Sequence, residues 1–141
     1  MQVRFSSEIR VANAVYQHLT KINATVIQFV SPGGQARISL TYSKSIGRRT
    51  IYPDVLAIFE GAIWVGEIKP RFSNADKEKL LELQMSQDGE AVVRSTVSRN
   101  LRLTCDEIPV RYCLFHGDVN ASADPAIAQL CFCADGSLHV K

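Results

Sequence analysis

Two periodicities divide this chain. Residues 6–21, SSEIRVANAVYQHLTK, place Ile9, Ala12, Val15, Tyr16 and Leu19 at three- and four-residue intervals, the spacing of a helix that buries one stripe. Ser6 or Ser7 is placed to cap it, which sets Glu8 in the first turn, where the helix dipole favours an anion. Strands are predicted at 24–30 (ATVIQFV) and 36–42 (ARISLTY), separated by the turn-forming Ser31-Pro32-Gly33-Gly34. The polar stretch 43–49, SKSIGRR, reads as a loop carrying three cations. A second helix is expected from residue 74, capped by Ser73 or Asn74, with Asp76 early and Leu80, Leu81 and Leu83 along it. Residues 88–104 fit either more helix after Gly89 or a strand. PVRYCLFH, 109–116, reads as a buried strand, and AQLCFC and SLHV flank Asp135-Gly136 as a C-terminal hairpin. The order predicts one α/β domain with a mixed sheet.

Between the two helices lies IYPDVLAIFEGAIWVGEIKP, residues 51–70, which sets Asp54, Glu60, Glu67 and Lys69 in very apolar surroundings. Glu60-Gly61 is its turn signal, so Tyr52–Phe59 and Ala62–Lys69 are expected to pair as an antiparallel hairpin. With a two-residue loop, Phe59 faces Ala62 and Asp54 falls opposite Glu67. Side chains alternate along a strand, so Glu67 and Lys69 emerge on one face while Ile68 points to the other. Leu56, Ile58, Ile63 and Val65 share the acidic face; Val55, Ala57, Phe59, Trp64 and Ile68 form the opposite one, the pattern of a strand pair covered on both sides. A bulge at Gly61 makes the Asp54–Glu67 contact diagonal without separating the groups far. Glu60, on the turn, reads as solvated.

Adjacent carboxylates repel, and something must offset that cost. A divalent cation bound through oxygen does so, which suits Mg²⁺ or Mn²⁺. The competing account is a buried Asp–Lys–Glu ion-pair network. At 141 residues the chain has the size of one domain with its own core. Sixteen Lys and Arg against 14 Asp and Glu give a net charge of +2, which excludes a strongly basic, tail-driven binder. Cys105, Cys113, Cys131 and Cys133 form no C-x-x-C pair and are expected as reduced, mostly buried thiols of a cytoplasmic protein. Charged residues interrupt every apolar run before the roughly 20 residues that span a bilayer, so no membrane partner is expected.

Pro53-Asp54, twelve intervening residues, then Glu67-Ile68-Lys69 resembles the PD-(D/E)xK nuclease superfamily over about residues 5–116. The Tyr-x-Pro-Asp-like and Glu-x-Lys-Pro ends are similar both to phage and archaeal junction resolvases and to the endonuclease subunit of heteromeric transposases. The resemblance implies a restriction-endonuclease-like α/β core, αβββαβ, with a mixed β-sheet flanked by helices and residues 117–141 as a C-terminal extension ending in the hairpin. It implies that Asp54, Glu67 and the Ile68 carbonyl bind Mg²⁺ or Mn²⁺, that Glu8 holds a second metal or its water, and that Lys69 orients the attacking water. Arg48, Arg49, Arg71, Lys77 and Lys79 flank these residues and are expected to meet a phosphate backbone. The expected activity is DNA phosphodiester hydrolysis by an endonuclease or Holliday-junction resolvase acting as a homodimer. The alternative is a nucleic-acid-binding subunit of a larger transposase- or restriction-type assembly.

Overall fold

Glu60 and Gly61 both adopt left-handed backbone conformations, φ 50° and 72°, as a two-residue I′ hairpin turn requires. This turn sits near the middle of the chain in a computed structural model that describes the backbone from Val3 to Lys141 and the side chains from Glu8 onward. In chain order the elements are α1 (Val3–Lys21), β1 (Thr25–Phe29), β2 (Leu40–Ser43), β3 (Arg48–Ile51), β4 (Val55–Phe59), β5 (Ala62–Ile68), α2 (Asn74–Met85), α3 (Gly89–Leu101), β6 (Val110–His116), β7 (Ala128–Phe132) and β8 (Leu138–Val140). Six strands form a mixed sheet in the order β1-β4-β5-β6-β7-β8, while β2 and β3 pair separately. The strands β1, β4 and β5 run antiparallel in succession. α2 and α3 then carry the chain across to β6, which lies parallel to β5, as such crossovers allow.

The β4–β5 register pairs Phe59 with Ala62 and Val55 with Gly66, as the sequence predicts. Alternation splits the hairpin between two cores. Val55, Ala57, Phe59, Trp64 and Ile68 pack with Val11, Ala12, Val15 and Leu19 of α1. Leu56, Ile63 and Val65 face Leu80 and Leu83 of α2 and Val93 and Val97 of α3. Trp64 stacks on Phe59 with ring centroids 5.0 Å apart, and its indole N–H donates to the Phe59 carbonyl. Among the described residues no helix is long and apolar enough to cross a membrane.

Several expectations need correction. α1 starts at Val3, so Ser6 and Ser7 lie inside the helix rather than at its cap, with their side chains outside the described residues, and Glu8 lies beyond the first turn. Its buried stripe is Val11, Ala12, Val15 and Leu19; Ile9 and Tyr16 are exposed, although Tyr16 meets Phe29 edge-on. Of the two alternatives for residues 88–104, the helix after Gly89 is the one found, as α3 over Gly89–Leu101. The strand predicted at 36–42 begins only at Leu40, and the polar stretch 43–49 is the tip of the β2–β3 hairpin, with Arg48 and Arg49 in a strand. The cause is Gln28, buried beside a register shift in β1. Its side-chain oxygen accepts from the Arg37 and Ile38 amides, and its amide donates to the carbonyls of Ile38 and Pro53. A side chain thus satisfies backbone that a strand neighbour otherwise pairs. The expected C-terminal hairpin is present as β7 and β8, and β7 also pairs in parallel with β6, so it belongs to the main sheet.

Gly66, in β5, packs directly against β6: a Cβ placed there lies 2.4 Å from the Phe115 ring. Gly66→Val is therefore expected to lower the unfolding free energy by about 1–3 kcal/mol through overpacking, read from urea denaturation, and a variant as stable as the wild type contradicts this packing.

Candidate metal and nucleic-acid site

Asp54 immediately precedes β4, opposite Glu67 at the end of β5. The two carboxylates hold each other's backbones: the Asp54 N–H donates to Glu67 Oε2 at 3.0 Å, and the Ile68 N–H donates to Asp54 Oδ2 at 2.9 Å. The reciprocal bonds offset part of the repulsion expected between like charges on neighbouring strands. A strand residue's N–H and C=O point to the same edge, so the Ile68 carbonyl also faces the Asp54 side. Glu67 is 2% exposed. Burial pushes the Asp54 carboxyl above its ordinary value, opposed by the Ile68 amide and by Lys69 and Lys79.

The partner of Glu67 is not Lys69. Lys79, on α2, forms the ion pair with Glu67 Oε1 and lies 3.7 Å from Asp76 Oδ1. Lys69, almost half exposed, lies 3.8 Å from Asp76 Oδ2. Asp76 is a residue that sequence reasoning placed only as an early helix residue. Ser73 caps α2 by accepting from the Asp76 N–H, which fixes Asp76 in the first turn and aims it inward. The Ser73-x-x-Asp76 spacing signalled the cap but not the burial. Asp76 Oδ2 is buried without a hydrogen-bond partner among the described residues, and burial raises the Asp76 pKa and lowers that of Lys79.

Glu8, Asp54, Ile68 and Lys69 line one cleft of about 160 Å³, walled on its far side by the Val30–Gly34 turn. Glu8 reaches it from α1 on the opposite side of the sheet from α2. Two bonds set this wall: the Val30 N–H donates to the Asp54 carbonyl, and Gln28 holds the carbonyl of Pro53. Gln28 was not singled out from sequence, since a lone polar residue inside an apolar strand carries no chemical signature. Glu67 does not line the cleft.

Of the five cations expected to meet nucleic acid, three have anionic partners. Lys79 belongs to the acidic cluster, Lys77 pairs with Asp124 at 2.5 Å, and Arg49 pairs with Glu82 at 3.1 Å. Arg48 and Arg71 are exposed and have no ion pair among the described residues. The cysteines are free; Cys105, Cys113 and Cys131 are buried and Cys133 partly so. His116 is buried and fully bonded, between Gln129 Oε1 and the Asp118 N–H.

Among the described residues no three Asp, Glu, His or Cys side chains are grouped so that they could hold a metal ion. The oxygens still suit a hard divalent cation. Mg²⁺ commonly uses one or two protein carboxylates and leaves its other positions to water and phosphate. Glu67 already holds a cation, the Lys79 ammonium, and among the described residues Asp54 accepts a hydrogen bond only at Oδ2. Comparison with known protein families, curated proteins and solved structures yields no match.

Because burial makes the folded chain hold the Asp76 proton more tightly than the unfolded chain, its contribution to stability is fully present below the ordinary value of 3.8 and lost as pH rises through the raised folded value. Asp76→Asn removes that loss. Its urea midpoint is expected to gain on the wild type as pH rises above the ordinary carboxylate value of 3.8; a variant that instead loses ground as pH rises contradicts the assignment.

Proposed function

We propose that this chain is a metal-dependent nuclease of the PD-(D/E)xK type that hydrolyses DNA phosphodiester bonds with Mg²⁺ or Mn²⁺, as an endonuclease or junction resolvase working as a homodimer. One observation carries the reading: Asp54, just before β4, and Glu67, in β5, are locked together through their backbones, with Ile68 between Glu67 and Lys69 and with Lys69 at the cleft. The succession of α1, the antiparallel β1, β4 and β5, the helical crossover and the parallel β6 accords with a restriction-endonuclease-like core. On this reading the β2–β3 hairpin is an insertion, and β7 and β8 extend the sheet. Four free thiols accord with a cytoplasmic setting.

Asp54, Glu67 and the Ile68 carbonyl hold the cation, with Glu8 across the cleft. The bound ion supplies Lewis acidity, making a water more acidic and offsetting charge on the scissile phosphate. Lys69, kept near the cleft by Asp76, holds the attacking water in line with the phosphorus. As the water oxygen bonds to phosphorus and the ester bond breaks, the proton passes to solvent or to the leaving oxygen. Arg48 and Arg71 meet the backbone on either side. The hold of Lys79 on Glu67 favours a second reading, a subunit that binds nucleic acid and cuts only within a transposase- or restriction-type assembly.

Plasmid, duplex and four-way-junction DNA with Mn²⁺ separate these readings. Lys69→Ala is expected to slow cleavage by about 10²–10⁴-fold while DNA binding, read by mobility shift, is unchanged; full activity in the variant rejects the mechanism. Binding without cleavage by the wild type selects the second reading. Arg48→Ala and Arg71→Ala are each expected to reduce the salt slope of DNA affinity by about one, and an unaltered slope removes that residue from the interface.

A further inference from the structure

The cluster behind the cleft contains two features that the proposed chemistry does not require. Asp76 carries an oxygen, Oδ2, that is buried and without a hydrogen-bond partner among the described residues. Lys79 sits on Glu67, an expected metal ligand, although a second acid lies within reach: Asp76 Oδ1 is 3.7 Å from its ammonium. Asp76 and Lys79 are three residues apart on one helix, hence neighbours on its surface. A rotation of the lysine side chain carries its ammonium from one acid to the other while α2 stays fixed.

We propose that Lys79 is an internal counter-cation that occupies the Glu67 seat in the metal-free protein and is handed to Asp76 when a divalent cation arrives, Asp76 being the positioning residue that receives it. This rests on the nuclease reading of the same site. Asp54, Glu67 and Asp76, with Glu8 across the cleft, carry four formal negative charges against two on Lys69 and Lys79, so the site is at −2 without metal. One divalent cation neutralises it, which removes the net repulsion a phosphate otherwise meets. Without Lys79, a buried Glu67 beside Asp54 is an unpaired charge in the empty protein, which is costly. Without Asp76, the displaced ammonium stays beside the incoming metal and repels it. Asp76 Oδ1, 3.7 Å from the Lys79 ammonium, is the oxygen that receives it at the handover, while the unbonded Oδ2 faces Lys69 and the charge of Asp76 keeps that lysine in place through the exchange.

Mn²⁺ titration calorimetry on the full chain tests this without reference to cleavage. Lys79→Gln is expected to tighten Mn²⁺ binding on the order of tenfold, about 1.4 kcal/mol, because the competing cation is gone. Lys79→Arg keeps the charge and is expected to remain near wild type, which separates competition from damage to α2. Asp76→Asn is expected to weaken binding several-fold, and most of that loss is expected to disappear in the Asp76→Asn/Lys79→Gln double variant. Mn²⁺ uptake that Asp54→Ala abolishes but Lys79→Gln leaves unchanged or weakens overturns the counter-cation role alone. An Asp76→Asn loss of the same size with and without Lys79 overturns the handover. No uptake by either wild type or Lys79→Gln overturns both this inference and the metal-dependent reading beneath it.

Discussion

The site depends on one pair of hydrogen bonds. At the end of the β4–β5 hairpin, each of two carboxylates accepts from a backbone N–H of the opposing segment, Glu67 from Asp54 and Asp54 from Ile68. Two acids side by side and away from water are unfavourable. Here the backbone donors and the Lys79 ammonium offset the repulsion and fix the oxygens in place. A register slip of one residue in β5 turns Glu67 away from this face. The turn at Glu60 and Gly61, with both residues left-handed, is what prevents that slip.

Rigidity of the pair comes from its surroundings on both faces. α1 covers one side of the hairpin and α2 with α3 the other, so the strand ends that carry Asp54 and Glu67 are braced by two separate cores. The parallel strand β6 holds the outgoing chain, the Lys69 N–H donating to the Phe115 carbonyl. On the far side, Gln28 ties β1, the segment before β2 and Pro53 together and thereby shapes the cleft wall. Oxygens held in advance by packed elements need little reorganisation to receive a cation.

What was legible in the sequence was what depends on alternation and turn chemistry. Glu60-Gly61 with its flanking apolar runs gave the hairpin, its register and the division of Leu56 and Ile63 from Ala57 and Trp64. Ser73 announced α2. Not legible were contacts set by tertiary approach. Nothing local shows that Gln28 serves as backbone partner to residues 37 and 38, so the second strand was expected too early and the β2–β3 hairpin was missed. Helical spacing alone does not choose the buried stripe of α1, which follows Val11 rather than Ile9. Lys79 and Asp76 look like ordinary charges at the start of a helix. Their burial and their hold on Glu67 and Lys69 emerge only when α2 lies across the end of β5. Lys77 and Arg49, expected to meet phosphate, have partners in Asp124 and Glu82, which lie far from them in the chain.

Anomalous diffraction at the manganese edge from crystals soaked in Mn²⁺ tests the central claim most directly. The account predicts a peak within coordination distance of Asp54 and Glu67, with the Lys79 ammonium withdrawn from Glu67 to Asp76. Saturating Mn²⁺ that leaves no peak between the two carboxylates, with Lys79 still seated on Glu67, contradicts it.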